Sequence, residues 1–232
     1  MFDIKDYKGK SILIIGGGTS TLEVQWENLE YDCIWTCNEF FMNNRVSKQD
    51  IDLYMLSYTV DLSDKRLVKK LKGSKTKVFF EPTHYRGKQR TSEYVDFLNA
   101  TGKDIFQMEI PYFEDSWEDQ IARKAGAAFR LIQLALMTEA KNIYFVGFDG
   151  FNREFTNKHA FTQHVGLKDT DTRRNWEKDY YLVFLNAFRY LTTFPNHRKL
   201  QNLGEGLDYN IGTQISKKWF TLKRANRKIL NR

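Results

Sequence analysis

Three short segments carry residue types and spacings suited to a phosphorylated or hydroxylated ligand. The first is Gly16-Gly17-Gly18-Thr19-Ser20, directly after a β-branched run. Glycines let a backbone approach a ligand closely, and the N-terminus of a following helix offers N–H groups and partial positive charge to a phosphate. The spacing is not G-x-G-x-x-G, because position 21 is threonine, and no Gly-Lys-Ser/Thr follows to make a P-loop. A plain strand-to-helix turn would explain the same residues. Three glycines in a row cost more backbone entropy than a turn requires, which favours contact of Gly16, Gly17, Gly18 and Ser20 with a phosphate or nucleotide. The second segment is Cys37-Asn38-Glu39-Phe40-Phe41. The Asn38 amide can both donate to and accept from a ribose hydroxyl or a base edge; taken alone, it reads first as a turn-forming asparagine before two core aromatics. The third is Gly147-Phe148-Asp149-Gly150-Phe151, followed by a polar stretch with His159 and His164. Asp149 is placed to orient a substrate hydroxyl, and a histidine in a lid can act as general base near neutral pH. Either histidine, taken singly, reads first as a surface loop residue. No His or Cys pair has metal-ligand spacing. Asp169 and Asp171, flanked by Lys168, Thr170 and Arg173, read as surface charge capping a helix, so no metal site is expected.

Positioning these segments requires a regular scaffold, and the hydrophobic pattern supplies one. Ser11 to Ile15 reads as a buried strand, with Ser20 and Glu23 offering an N-cap and capping box for a short helix. Further strands are expected at Asp32 to Thr36, Ile51 to Leu56, Lys77 to Phe80, Asp104 to Ile110, Asn142 to Phe148 and Lys199 to Leu203. Ser63 is expected to cap a helix through Leu71 that Gly73 stops, and Glu93 to Leu98 reads as helical. Apolar stripes at helical spacing run from about Glu118 to Thr138 and from Asn175 to Thr192. Strands alternating with helices predict an α/β fold: a mostly parallel, Rossmann-like sheet with helices on both faces. Ligands of such sheets bind beyond the carboxyl ends of the strands. All three segments lie just past predicted strands, so one cleft can hold them.

Size and composition agree with a single globular unit. The 232 residues are 41% hydrophobic and 15% aromatic with 3 prolines, which argues against disorder. Cys33 and Cys37 sit in an apolar run and read as buried thiols in a reducing compartment, not as a disulfide framework. The charged N-terminus does not read as a secretory leader, and no apolar run approaches the length of a bilayer span. The organisation expected is a domain over residues 1–214, with a lid at about 151–174, and a basic amphipathic helix over 215–232. A cytoplasmic location follows, in the host if the source is viral.

These segments resemble a known family. The stretch IIGGGTS…CIWTCNEFFM looks like the opening of bacterial lipooligosaccharide sialyltransferases, in which a strand runs into a G-x-G-x-S loop and the next strand ends in Cys-Asn-x-Phe. Ala125-Gly126 opening a helix that leads to KNIYFVGFDGF is similar to the same family's Ser-Gly helix, lysine, strand and Gly-x-Asp. The resemblance covers Ser11–Met42 and roughly Lys124–Gly166. It implies a nucleotide-sugar co-substrate, CMP- or UDP-linked, and no metal. It places the donor over Gly16, Gly18 and Ser20, with Asn38, Gly126, Gly147 and Asp149 around it. It implies a lid histidine as catalytic base; His164 lies two residues before Gly166 and His159 is its alternate. The family's first-loop asparagine is Gly17 here, its helix-start serine is Ala125, and Phe151 and Phe155 stand near where it carries tyrosines. The sugar and nucleotide are therefore not carried over.

The formal charge of +7 is concentrated at one end. Residues 217–232 hold seven basic residues and no acidic one, so the remainder of the chain sums to zero. A solvated helix face explains this as well as an anion-binding one. Lys217, Lys218, Arg224 and Arg227, with Arg86, Lys88 and Arg90, are candidate contacts to an anionic acceptor. Two acceptors fit: a surface glycolipid, or DNA with a hydroxymethylated base, as for phage DNA glucosyl- and arabinosyltransferases. The second basic cluster leans to DNA, and a flipped base would find aromatic side chains to stack on. A non-catalytic nucleotide or nucleic-acid binding module is the reading from a different class.

Overall fold

A computed structural model of the chain describes residues 3–56, 60–80, 89–103, 105–107, 126–148 and 191–204. Seven strands form one sheet: β1 (Ser11–Ile15), β2 (Cys33–Cys37), β3 (Leu53–Leu56), β4 (Lys77–Phe80), β5 (Ile105–Gln107), β6 (Asn142–Val146) and β7 (Leu200–Asn202). Their order is β5-β4-β3-β2-β1-β6-β7 and every neighbouring pair is parallel. The expected α/β, Rossmann-like sheet is therefore present, and its described pairs are parallel throughout. Four α-helices are described: α1 (Ser20–Glu23), α2 (Lys65–Leu71), α3 (Gln89–Thr101) and α4 (Gly126–Met137).

β1 is an interior strand, between β2 and β6, and all five of its residues are buried, as a parallel strand covered on both faces requires. Its side chains alternate between two cores. Ile12 and Ile14 join Trp35, Met55, Phe129 and Ile132 on the face covered by α4. Leu13 and Ile15 join Ile34, Tyr54, Leu67, Leu71 and Phe97 on the face covered by α2 and α3. Helices thus lie on both faces, as predicted.

Several boundaries differ from the expected ones, each for a local reason. β6 ends at Val146 because Gly147 turns to φ 77°, a left-handed conformation that ends pairing. β2 runs to Cys37 and ends at Asn38, which takes φ 49°. The cap of α2 is Asp64, not Ser63: the Asp64 carboxylate accepts from the Arg66 N–H, while the Ser63 hydroxyl donates to Asp61. Gly73 does follow the helix end, at φ 71°. Ser20 is not the cap of α1. It is the first helical residue, Thr19 precedes it, and no side chain caps the helix there.

The expected lid at 151–174, the bulk of the 175–192 helix and the basic helix at 215–232 lie outside the described residues. Among the described residues, no helix is long and apolar enough to cross a membrane.

Candidate functional site at the strand-order reversal

β1 lies between β2 and β6. The chain leaves β1 toward β2, continues outward to β5, and returns on the other side of β1 as β6. Such a reversal separates the loops at the carboxyl ends of two adjacent strands and is where ligands of open α/β sheets bind. The segments after β1, β2 and β6 all emerge on this edge. α4 packs against β1, β2, β3 and β6. Its twelve residues rise about 18 Å, close to the length of the strands, so its Gly126 end reaches the same edge.

The floor of the reversal is built by two glycines in backbone contact. The Gly16 N–H donates to the Val146 carbonyl at 2.8 Å, and the Gly18 N–H donates to the Gly147 carbonyl at 2.9 Å. A Cβ on Gly16 would stand 2.5 Å from the Gly147 carbonyl oxygen; one on Gly147 would stand 2.8 Å from the Gly16 oxygen and 2.5 Å from the Thr21 methyl. The buried Ser20 hydroxyl accepts from the Gly147 N–H at 3.0 Å. These residues stitch β1 to β6, so the amides of Gly16 and Gly18 serve the fold. Gly17, Gly18 and Thr19 form the half-buried rim above that floor.

The loop after β1 is braced from the segment after β2. The Thr21 hydroxyl donates to the Gly18 carbonyl at 2.8 Å and accepts from the Asn43 side-chain amide at 3.0 Å. The Thr21 carbonyl accepts from the Trp26 indole and from Arg45. Arg45 also bonds the Val24 carbonyl, pairs with Glu27, and stacks 5.1 Å over the Trp26 ring. Thr21, Asn43 and Arg45 were not singled out from the sequence. Their role depends on contacts across more than twenty residues, with no local signature.

Beyond β2, the Asn38 N–H donates to the Met55 carbonyl at 3.1 Å, and the Tyr54 hydroxyl donates to the Asn38 carbonyl at 2.8 Å. Both partners lie in β3, so the left-handed turn at Asn38 is clamped. Glu39 follows and is buried, and Phe40 and Phe41 are held in the core, Phe40 edge-on to Tyr54 at 4.9 Å. Glu39 and Arg130, on the second turn of α4, are the charged side chains buried among the described residues. The Glu39 carboxylate lies close enough to act on its neighbours. Burial pushes the Cys37 thiol up to about 12 and Glu39 adds to the effect. Burial, then Glu39, holds the Tyr54 hydroxyl well above its ordinary value. A lone acidic residue inside a turn reads as surface charge, whereas Glu39 is buried.

The structure therefore brings Gly16, Gly17, Gly18, Ser20, Asn38, Gly126 and Gly147 to one edge of the sheet. Asp149, His159, His164, Arg86, Lys88, Lys217, Lys218, Arg224 and Arg227 lie outside the described residues, and Arg90 falls on α3. Among the described residues, no group of His, Cys, Asp and Glu is arranged to hold a metal ion. Farther along the same edge, past β3, an open cavity of about 600 Å³ is lined by Val60, Asp61, Leu62, Ser63, Glu93 and Asp96, among others. Its carboxylates disfavour a phosphate.

The fold and this edge define an α/β protein with a Rossmann-like parallel sheet. No family model matches the chain, and no curated protein matches its sequence.

Proposed function

We propose that this protein is a metal-independent glycosyltransferase that moves a sugar from a nucleotide-sugar donor to an acceptor hydroxyl. The observation that carries this reading is the convergence of the β1, β2 and β6 loops and the α4 N-terminus at the reversal. Those are the segments in which the sequence resembles the lipooligosaccharide sialyltransferases. In the proposed reaction the acceptor oxygen attacks the anomeric carbon of the sugar. A base, His164 or His159, takes the hydroxyl proton. The bond from the anomeric carbon to the phosphate oxygen breaks, and its electron pair stays on the phosphate. The favoured acceptor is a hydroxymethylated base in DNA, held by the basic residues of 217–232 and 86–90, in the cytoplasm of the cell. A sialyltransferase-like reaction on a surface glycan is the alternative within the class.

The bonds from the Gly16 and Gly18 amides to β6 favour a second reading, a non-catalytic nucleotide or nucleic-acid binding module. Incubating the protein with a panel of nucleotide sugars, against hydroxymethylated DNA and against lipooligosaccharide, separates the readings by mass shift. A sugar-sized gain on one acceptor, lost in His164→Ala with the fold intact, supports the transferase. No gain on either acceptor, together with salt-sensitive DNA binding, supports the module.

A further inference from the structure

We propose that the amino-terminal edge of the sheet, opposite the loops of the reversal, is a docking surface for the phosphate backbone of duplex DNA, bound without regard to base sequence. This surface is separate from the reversal, and the transferase reading is not needed for it.

Every neighbouring pair in the sheet is parallel, so all seven strands begin at one edge. Five of the seven are entered through a lysine. Lys103 stands two residues before β5, Lys77 opens β4, and Lys10, Lys141 and Lys199 directly precede β1, β6 and β7. Lys75 and Arg198 add a second cation at β4 and β7, and both are exposed, as are Lys10 and Lys141. β2 and β3 are entered through aspartates instead, and these face the backbone. Asp32 accepts from the Ser11 N–H at 2.7 Å and Asp52 from the Ile34 N–H at 2.8 Å. Tyr7 bridges the interruption: Lys10 Nζ and Lys77 Nζ lie 5.4 and 5.5 Å from the centre of its buried ring, which is set edge-on to Trp35. Lys199 is fixed by the Ala140 carbonyl at 2.6 Å and Lys103 by the Ser74 carbonyl. Two acidic groups of this edge are paired, Glu139 with Lys8 at 2.7 Å and Asp6 with Lys77 at 3.3 Å. Among the described residues, Glu30 and Asp50 are the other carboxylates within three residues of a strand start. The fold has no need of the cations. A strand entry uses hydrogen-bond acceptors, as both aspartates show, and an ammonium group cannot accept. Lysines repeated at five entries therefore point to an anion outside the chain.

The shape of the row selects the partner. Six inter-strand steps of about 4.8 Å span about 29 Å, the length of about eight phosphates along one strand of a duplex. Twist of about 20–25° per strand turns the row through more than about 100° from end to end. Such a curve can follow a winding backbone, whereas a flat bilayer would meet only part of it. Stable attachment to a membrane also takes an apolar insertion, and of the exposed large hydrophobic side chains only Met137 stands at this edge. Lysines act as point charges toward phosphate and read no base edges, hence binding without sequence preference.

The test is the salt dependence of binding to a short labelled duplex of arbitrary sequence, read by fluorescence anisotropy on the full chain between about 50 and 200 mM salt. A chain carrying Lys10→Gln, Lys75→Gln and Lys141→Gln together is expected to bind at least about tenfold more weakly at the low end. Its slope of log affinity against log salt should be shallower by about 2–3, since each phosphate contact contributes about 0.9. Each single variant should take about 0.9 from the slope, so the result is readable even if the triple variant does not fold. Replacing the same three lysines by arginine should keep the wild-type slope. Lys65→Gln, an exposed lysine at the start of α2 beyond the opposite edge, should leave it unchanged. A wild-type slope in the Lys10, Lys75 and Lys141 variants overturns the proposal, whichever other segment holds the duplex. So does a wild-type protein that binds no duplex, or that binds phosphatidylserine vesicles in preference to it. Sugar transfer is assayed separately: its absence overturns the transferase reading and leaves this surface standing.

Discussion

Replacing Gly147 by alanine tests the glycine junction with an internal control. Gly147 has φ 77°, and the left-handed conformation costs an L-residue with a Cβ about 1–2 kcal/mol. The added Cβ would also meet the Thr21 methyl at 2.5 Å and the Gly16 oxygen at 2.8 Å. The second contact is with backbone of the adjacent segment, so relief requires β1 and β6 to shift; overpacking of this kind costs about 1–3 kcal/mol. The two effects sum to about 2–5 kcal/mol, a large share of the 5–15 kcal/mol typical of a folded domain, taken as about 10. Gly73 has nearly the same φ, 71°, and a Cβ there meets nothing within 4 Å, so Gly73→Ala carries the backbone cost alone. Gly16→Ala carries the steric cost without a left-handed φ, because its Cβ would stand 2.5 Å from the Gly147 oxygen. Urea unfolding of the three variants separates the costs. With a slope of about 3 kcal/mol per molar, Gly147→Ala should lower the midpoint by about 0.7–1.7 M, and Gly73→Ala by about 0.3–0.7 M. If Gly147→Ala is no worse than Gly73→Ala, the close approach of the two loops is refuted.

Ser20→Ala should destabilise by about 1–3 kcal/mol in the same assay, because it leaves the buried Gly147 N–H without its acceptor. Cys33 and Cys37 should resist alkylation at neutral pH until the chain unfolds, since burial pushes both thiols up to about 12; rapid labelling of native protein would contradict their placement. Stability should fall with acid partly through Asp64 and Glu27, which hydrogen bonds from Arg66 and Arg45 hold below the usual carboxylate range. A depressed carboxyl contributes stability above its unfolded value, about 4, and loses it as the pH drops through the folded value. Arg66→Ala should therefore shrink the acid-induced loss by less than about 1 kcal/mol, as for an exposed pair. Asp52 works in the opposite sense: burial raises its carboxyl, so its contribution improves as pH falls, and Asp52→Asn should remove that offset.

The strands were the most legible part of the sequence. Ser11 to Ile15 and Lys77 to Phe80 are observed with the predicted limits, because apolar, β-branched or aromatic runs bounded by glycine or proline leave few alternatives. Two strand ends were misplaced where a single residue adopts positive φ, Asn38 after β2 and Gly147 after β6; β3 and β7 instead begin later than expected, at Leu53 and Leu200, with no such residue there. Asn38 and Gly147 can occupy that region and need not, so sequence pattern alone does not mark them as terminators. Ser20 shows a different limit. Its spacing to Glu23 matches a capping box, yet the hydroxyl is taken by Gly147, 127 residues away, and a tertiary partner of that kind leaves no local pattern. Ser63 and Asp64 are both good caps side by side, and the choice fell to Asp64 because Asp61 captures the serine hydroxyl. The site was legible as an edge, since three of its segments follow strands. The burial of Glu39 was not legible, because it comes from the clamp on Asn38 and the anchoring of Phe40 and Phe41.

The central claim is that a nucleotide binds where the strand order reverses. Hydrogen exchange of the full chain, with and without saturating CMP, UDP or GDP, tests it most directly. One nucleotide should slow exchange at residues 16–23 and 37–42 together, leaving residues 60–63 and 93–100 around the acidic cavity unchanged. Protection confined to that cavity, or no protection with any of the three nucleotides, would contradict it.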